Sequence, residues 1–536
     1  MSNAEEAESA EGGEEGGVLP VLRHFAANTS CAGLALVEGA PNHRWRLCWS
    51  LVFLLAVAMT VEQTVELVND YLEYEVAVAM GVRFEARAFP AITLCSLNPF
   101  LASALQRIPQ AARLMKAVGY SLNRLDNPLE AGLFQASAAK DAALFGLQES
   151  WSALEVQRRG RLLLSLVLGN LDPRTLSTAT LPPKSFVRSC SFNSRDCPVQ
   201  EDFASFLDPE LGSCHTFNFN ASLLKYNSSR PGPLYGARVV LLGKASEALP
   251  HGLGGPLGFR VLVHNQSSAA FPATLGRSIP FGTAVALSIS FNHIIRLPEP
   301  HGECREAEDL EDYPFPGLYN REGCMRACAA AAVAAACACR EPFQPSSSED
   351  DLPVCDAFNR DQRECYLGIR LAQLEADPAT ASNGTEDSYD IAACQRKCLP
   401  SCEEGVLEVK SSEAGWPAKE STIVGTCKDG DYSESCGRVY AENGAFLEVA
   451  YEQINFSLLQ ELEDMEIVNL FADFGGHIGL WLGLTGISFV EFIVLGVQLC
   501  CLCSCGREGG GEGRAFVQSI AVRHAGGQHP EKEGNS

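Results

Sequence analysis

The sequence predicts an α+β membrane protein in which two transmembrane helices flank a large, disulfide-rich extracellular domain. Three observations carry that reading. Residues 47–61 and 467–503 are apolar segments near the two ends of a 536-residue chain. Of 22 cysteines, 16 lie between Cys95 and Cys436, an even number in a single stretch. Five N-x-[ST] sequons, at Asn220, Asn227, Asn265, Asn383 and Asn455, fall in the same interval.

A span needs about 20 apolar residues at 1.5 Å each. The first segment reaches that length by extension to Val68, with Glu62, Gln63 and Glu66 at the outer interface. The acidic, glycine-rich stretch 1–17 has no basic region and no apolar core, so the first span is expected to act as its own insertion signal. Arg44 and Arg46 precede it, and Arg507 follows the second span. The positive-inside bias then places both termini in the cytosol. The expected organisation is a cytosolic segment 1–44, a first span 45–68, an extracellular domain 69–464, a second span 465–503 and a cytosolic tail 504–536. Disulfides persist in the oxidising exterior, which agrees with where the cysteines sit. A sixth sequon at Asn28 is cytosolic in this topology and unused. The net charge of −25 reads as a solvated acidic surface, or as an exterior that concentrates cations by electrostatic focusing.

Between the spans, 84–98 reads as a strand leaving the membrane. Helical periodicity follows over 100–170, with Ala104, Leu105, Ile108, Leu114 and Met115 on one face. From 189 to 291 the texture is short β runs (237–242, 259–264 and 284–291) broken by Gly, Pro and Asn. The cysteine-dense stretch 304–402 contains an alanine run, 329–336, read as a short helix held at both ends. Strand character returns over 405–456.

The second apolar segment carries the chemistry. Gly475, Gly479 and Gly483 recur every four residues and share one face of a helix, which is also the pattern of ordinary helix packing. Asp473, His477 and Glu491 are ionisable groups at membrane depth, where they are costly and face a bundle interior or a water path. Asp473 and Glu491 are 18 residues apart, roughly 27 Å along a straight helix. Several copies around an axis would place an acidic ring at each mouth of a pore, with small residues at the narrow part.

Residues 472–481, Ala-Asp-Phe-Gly-Gly-His-Ile-Gly-Leu-Trp, closing on Ser-Phe-Val-Glu-Phe at 488–492, resemble the pore helix of the degenerin/epithelial sodium channel superfamily, which includes the acid-sensing ion channels. The motif Phe-Pro-Ala-Ile-Thr-Leu-Cys-Ser-Leu-Asn at 89–98 resembles the segment after the first span. Gly-Ser-Cys-His-Thr-Phe-Asn at 212–218 resembles a strand of the β-ball, and the Cys324, Cys328, Cys337, Cys339 spacing resembles the thumb. The resemblance covers about residues 25–495. It implies a trimer, homomeric or with related subunits, whose ectodomain comprises finger, thumb, palm, knuckle and β-ball. It further implies a voltage-independent, amiloride-sensitive, Na⁺-selective channel in the plasma membrane, opened by protons, a peptide or mechanical force. The disulfides it implies are Cys95–Cys214, Cys190–Cys197, Cys304–Cys402, Cys324–Cys398, Cys328–Cys394, Cys337–Cys365 and Cys339–Cys355. Cys427 and Cys436 remain, and an additional local bridge is expected between them.

Some positions depart from the family pattern. The constriction triplet is Gly483-Leu484-Thr485, where the family has a Gly-Ala-Ser-like break in the helix; backbone carbonyls and the Thr485 hydroxyl replace water around the ion. The N-terminal re-entrant motif is Ala32-Gly33 in place of His-Gly, with Gly33 expected to supply a tight turn. Ala472 stands where bulky residues hold degenerin channels open. His301, in 297–302, replaces a family tryptophan, and stands either as a titratable gating group or as a surface substitution. Cys500, Cys501, Cys503 and Cys505 read as palmitoylation candidates before a metal site.

The alternatives are a modulatory non-conducting subunit, an ATP-gated-type two-span receptor channel, and a doubly anchored ectoenzyme or receptor. No Gly-rich phosphate loop, Ser/His/Asp arrangement or HExxH motif supports an enzyme. No cofactor, metal or nucleic acid is expected; the partners are related subunits, Na⁺ and the lipid bilayer.

Overall fold

The chain divides into two units, one of Met1–Ala77 with Glu463–Ser536 and one of Val78–Leu462. The computed structural model describes residues 18–505 apart from 86, 127–135, 149, 220–224, 251, 307–312, 346–351, 376–390 and 419–433. Asn220, Asn383 and Cys427, and the ends of the chain, therefore lie outside the described residues.

The first unit opens with two short helices, α1 (Val18–Asn28) and α2 (Ala32–Glu38), followed by α3 (His43–Leu72). At 30 residues, α3 is about 45 Å long, and it is apolar enough to cross a bilayer. Thr60 and Leu67 are its only buried residues. An apolar helix that buries so little within its own chain suits apolar surroundings.

In the second unit, β1 (Val76–Phe84) precedes β2 (Ala91–Ser96), and the single strand expected over 84–98 is absent. Pro90 lacks the N–H that a continuous ladder needs, which accounts for the interruption. The helical periodicity of 100–170 forms α4 (Pro109–Asp126), α5 (Ala136–Leu144) and α6 (Ala153–Gly169). Ser152 caps α6 by accepting a hydrogen bond from the Glu155 amide at 3.3 Å. Leu105, Leu114, Val118, Leu163 and Leu166 fill the core of this helical part.

Two antiparallel-rich sheets carry most of the strands, beside a two-stranded pairing of Arg87–Ala88 with Asn227–Ser228. They use β3 (Val187–Phe192), β4 (Arg195–Asp196), β5 (Phe203–Asp208), β6 (Gly212–Phe217), β7 (Ala237–Leu242), β8 (Gly258–His264), β9 (Arg277–Pro280) and β10 (Thr283–Ile295). Three further helices follow: α7 (Arg321–Cys337), α8 (Arg360–Glu375) and α9 (Ile391–Lys397). After them come β11 (Glu403–Gly415), β12 (Gly444–Tyr451) and β13 (Asn455–Glu463). The larger sheet runs β1-β13-β10-β12-β7-β3-β4, with β11 also on β10; the smaller runs β9-β8-β2-β6-β5. Ile92 and Leu94 from β2 share a core with Phe259 and Val261 from β8 and Val239, Leu287 and Leu447 from the larger sheet. All six residues of β2 are buried, as befits the middle strand of the smaller sheet.

The alanine run is helical, and the helix is longer than expected. Asn320 accepts from the Gly323 amide at 2.7 Å to start α7, and Ala338 ends it in the left-handed conformation at φ 49°. Cys324 and Cys328 are four residues apart and so lie on one face, as do Cys394 and Cys398 opposite them. The two pairs close as successive rungs, Cys324–Cys398 and Cys328–Cys394. The chain returns to the first unit as α10 (Ile467–Leu482) and α11 (Gly486–Cys505).

Candidate pore break and its N-terminal clasp

The second apolar segment is bent by 75° at residues 483–485, the triplet at which the resemblance implies a break in the helix. Gly483 caps α10 with φ 66° and ψ 18°, donating its amide to the Gly479 carbonyl at 3.1 Å. Only glycine reaches that conformation without steric cost. Two expectations drawn from a straight helix fail at the break. The roughly 27 Å separation of Asp473 and Glu491 does not hold, because no straight helix joins them. Gly483 also does not share a helical face with Gly475 and Gly479; it sits beyond the helix end, and a Cβ on Gly475 would meet nothing within 4 Å.

The lower helix starts on Thr485 and Ser488. The Thr485 amide donates to Ser488 Oγ at 2.9 Å, and the Ser488 amide donates to the Thr485 carbonyl at 2.9 Å. This is a reciprocal cap of the kind that satisfies orphan groups at a helix start. Ser488 is 1 % exposed, and its hydroxyl also meets Ser30 Oγ at 2.5 Å.

Ser30 belongs to a short N-terminal clasp that grips the break. One Glu491 carboxylate oxygen accepts from the Ser30 amide at 2.9 Å, from Thr29 Oγ1 at 2.9 Å and from Ser30 Oγ at 3.1 Å. The buried Cys31 thiol donates to the Leu482 carbonyl at 3.6 Å, the last residue of α10. Phe25 packs on Phe492 with ring centroids 5.3 Å apart. Three consecutive residues thus touch both helix ends around the bend. Glu491, expected in an acidic ring at one mouth of a pore, is engaged by its own chain.

Ala32 and Gly33 open α2. The expected tight turn at Gly33 is absent; the glycine lies inside the helix, and a Cβ there would run into the Phe53 ring of α3. Glycine is required here for close approach, and turning plays no part. On the same α3, Gln63 Oε1 accepts from the Trp481 indole N–H at 2.7 Å, joining α3 to the end of α10.

The remaining predicted residues are dispersed. Ala472 and Asp473 are exposed on α10. His477 has a buried Nδ1 with no hydrogen-bond partner among the described residues, a cost of the kind a further contact relieves. Leu484 is half-buried and Thr485 exposed. His301 lies in a turn of the second unit, its amide donating to the Pro298 carbonyl at 3.2 Å. Asn227 and Asn265 are exposed and Asn455 half-buried. Seven expected cysteine pairs are brought together: 95–214, 190–197, 304–402, 324–398, 328–394, 337–365 and 339–355. Cys436 is also disulfide-bonded, while Cys427 falls outside the described residues. Cys500 is exposed and unbridged, and no group of metal-binding residues occurs among the described residues. Sequence reading missed Thr29, Ser30 and Ser488; their polarity beside apolar segments was the available signal.

The family model "Amiloride-sensitive sodium channel" matches residues 25–495. Degenerin unc-8 of Caenorhabditis elegans is 34 % identical over 360 residues, covering 66 % of this chain and 44 % of that protein. Degenerin deg-1 of the same organism is 35 % identical over 357 residues, covering 66 % and 44 %. Degenerin-like protein asic-1 is 33 % identical over 309 residues, covering 57 % and 35 %. The matches therefore span less than half the length of these relatives. A cryo-EM structure of a proton-activated chloride channel aligns with TM-score 0.29 at 6 % identity, over 84 % of this chain and 96 % of that one, too low a score to bear on the fold. A match over most of the chain, with degenerins as relatives, makes the conclusion plain: this chain belongs to the amiloride-sensitive sodium channel family, within the degenerin/epithelial sodium channel superfamily of membrane-embedded ion channels.

Proposed function

We propose that the chain is a pore-forming subunit of a trimeric, voltage-independent, amiloride-sensitive, Na⁺-selective channel of the plasma membrane. Both termini are cytosolic, and an extracellular stimulus (protons, a peptide or mechanical force) opens it. The observation that carries this reading is the break at Gly483-Leu484-Thr485, where the helix hydrogen-bond ladder stops between two apolar helices. Irregular backbone at membrane depth is tolerated only where it is buried in protein or lines a water-filled path. Carbonyls freed from the ladder are suited to replace an ion's hydration shell. Assembly is supported by the edge strand β1, which exposes Val78, Met80, Val82 and Phe84 at 62, 74, 57 and 82 %, the apolar edge that a further chain would cover.

The test is to express the full chain alone and record currents with Na⁺ or K⁺ outside, with and without amiloride, during pH steps and peptide application. An amiloride-blocked Na⁺ current, enlarged at rest by Ala472→Val, is the expected result. Surface trimers that pass no current, alone or with Ala472→Val, would assign the chain to the modulatory class.

A further inference from the structure

Within the second unit lies a cavity of about 820 Å³, in the size range of small-molecule sites. Its floor is apolar, with Val261 and Val263 from β8, Leu287 from β10, and Leu407 and Val409 from β11. Arg277, Arg296 and Arg321 stand around it against Glu322, Glu403 and Glu404. Three formal charges of each sign cancel, so the lining selects neither a cation nor an anion. It suits a neutral occupant that has both an apolar face and hydroxyl groups.

The chain itself can supply such a group. Asn265 lines the cavity and is exposed, and it opens the sequon Asn265-Gln266-Ser267. Its Oδ1 accepts from the Ser267 amide at 3.2 Å, which assigns the other terminal atom as Nδ2. A Cβ on Gly405 of β11, also in the lining, would lie 3.9 Å from that nitrogen. The sugar-accepting atom is therefore at the β11 wall of the cavity. The Leu318 amide donates to the Ser267 carbonyl at 2.7 Å, which sets Leu318 beside the sequon. Leu318 and Leu275, both lining the cavity, are 45 and 55 % exposed, apolar surface that a cover would remove from water.

We propose that Asn265 carries an N-linked glycan whose first N-acetylglucosamine seats in this cavity and covers its floor. This placement of the sugar rests on the extracellular position of the second unit in the channel reading. Nδ2 attacks the anomeric carbon of an oligosaccharide carried on a polyprenyl pyrophosphate. An N–C bond forms, the C–O bond to the pyrophosphate breaks, the lipid pyrophosphate leaves and the amide gives up one proton, with no change of oxidation state. Transfer to the nascent chain needs no passage through the folded cavity. The C–H face and N-acetyl methyl of the sugar lie on the floor, which is favourable in proportion to the area removed from water. Its hydroxyls donate to the glutamates and accept from the arginines of the rim.

The experiment uses the full chain from a eukaryotic host, held in lipid nanodiscs. Peptide mass spectrometry reads occupancy at each sequon, and hydrogen exchange reads β8 and β11. Ser267→Thr keeps the sequon and Ser267→Ala removes it; both leave the main-chain bonds of Ser267 in place, and disulfide mapping checks the fold. Asn265 is expected to be glycosylated in the unsubstituted chain and in Ser267→Thr. In Ser267→Ala the β8 and β11 amides should exchange about tenfold faster, as local protection is lost. Trimming the glycan to its first N-acetylglucosamine should leave that protection in place. A bare Asn265 beside another glycosylated sequon overturns the proposal and leaves the extracellular reading standing. Equal exchange in the two variants, or protection lost on trimming, overturns it as well, since the sugar then projects into solvent. Sequons all bare would instead overturn the extracellular position of the unit, and the seated glycan with it.

Discussion

The stapled helices of the second unit and the clasp of the first unit both hold helix ends, by opposite means. Around α7, α8 and α9, four disulfides and a core including Val333, Tyr366 and Leu367 fix the helices. Around the 483–485 break, hydrogen bonds from Thr29, Ser30 and Cys31 do the holding, and α10 buries no residue at all. Covalent rungs remove freedom from the unfolded chain and stay closed. Hydrogen bonds of about 1 kcal/mol each open and re-form. The difference separates a part built to keep its shape from a part able to change it.

The sharpest way to break the comparison is to remove a rung. Cys328→Ser with Cys394→Ser should lower stability by about 2–5 kcal/mol, read as a fall in Tm of the full chain in detergent. A change too small to measure would mean that packing alone holds the α7–α9 pair.

A second test concerns the acid lability of the second unit, which holds both buried histidines. Burial pushes His215 and His264 down from 6.5 to about 4. Between those values the unfolded chain binds protons that the folded chain refuses, so stability is complete above pH 6.5 and falls as the pH drops towards 4. The slope is about 1.4 kcal/mol per pH unit for each imidazole when only the unfolded form is protonated. His215→Gln should flatten the Tm–pH curve in that window; an unchanged curve would show that His215 titrates normally.

The smallest effect concerns the clasp. Ser30→Ala or Glu491→Gln should each shift the open-to-closed ratio about fivefold, as expected for about 1 kcal/mol. The double variant should fall short of the sum, because the Ser30 Oγ–Glu491 contact is common to both substitutions. Fully additive single effects would show that the two residues act separately.

Much of the scaffold was legible. The helical period over 100–170 and the strand runs at 237–242 and 259–264 are local patterns, and they appear where the pattern put them. The disulfide partners were legible only through family resemblance, although the four-residue spacings of Cys324/Cys328 and Cys394/Cys398 explain two of them afterwards. The clasp was not legible. Ser30 and Glu491 are 461 residues apart, and a hydrogen bond at that separation leaves no periodicity in either segment. The common face assigned to Gly475, Gly479 and Gly483 failed because a 3.6-residue period was carried through a position where the helix stops.

Strand β10 has a mechanical consequence. Its thirteen residues pair along their whole length with β11, while its other edge passes from β12 at 283–289 to β13 at 292–295. A pull along this strand loads its rungs together in shear, so none can be peeled away singly as in an unzipping hairpin. The β10–β11 ribbon therefore behaves as a stiff strut, carrying a displacement from Ile295 to Thr283 with little lost to stretch.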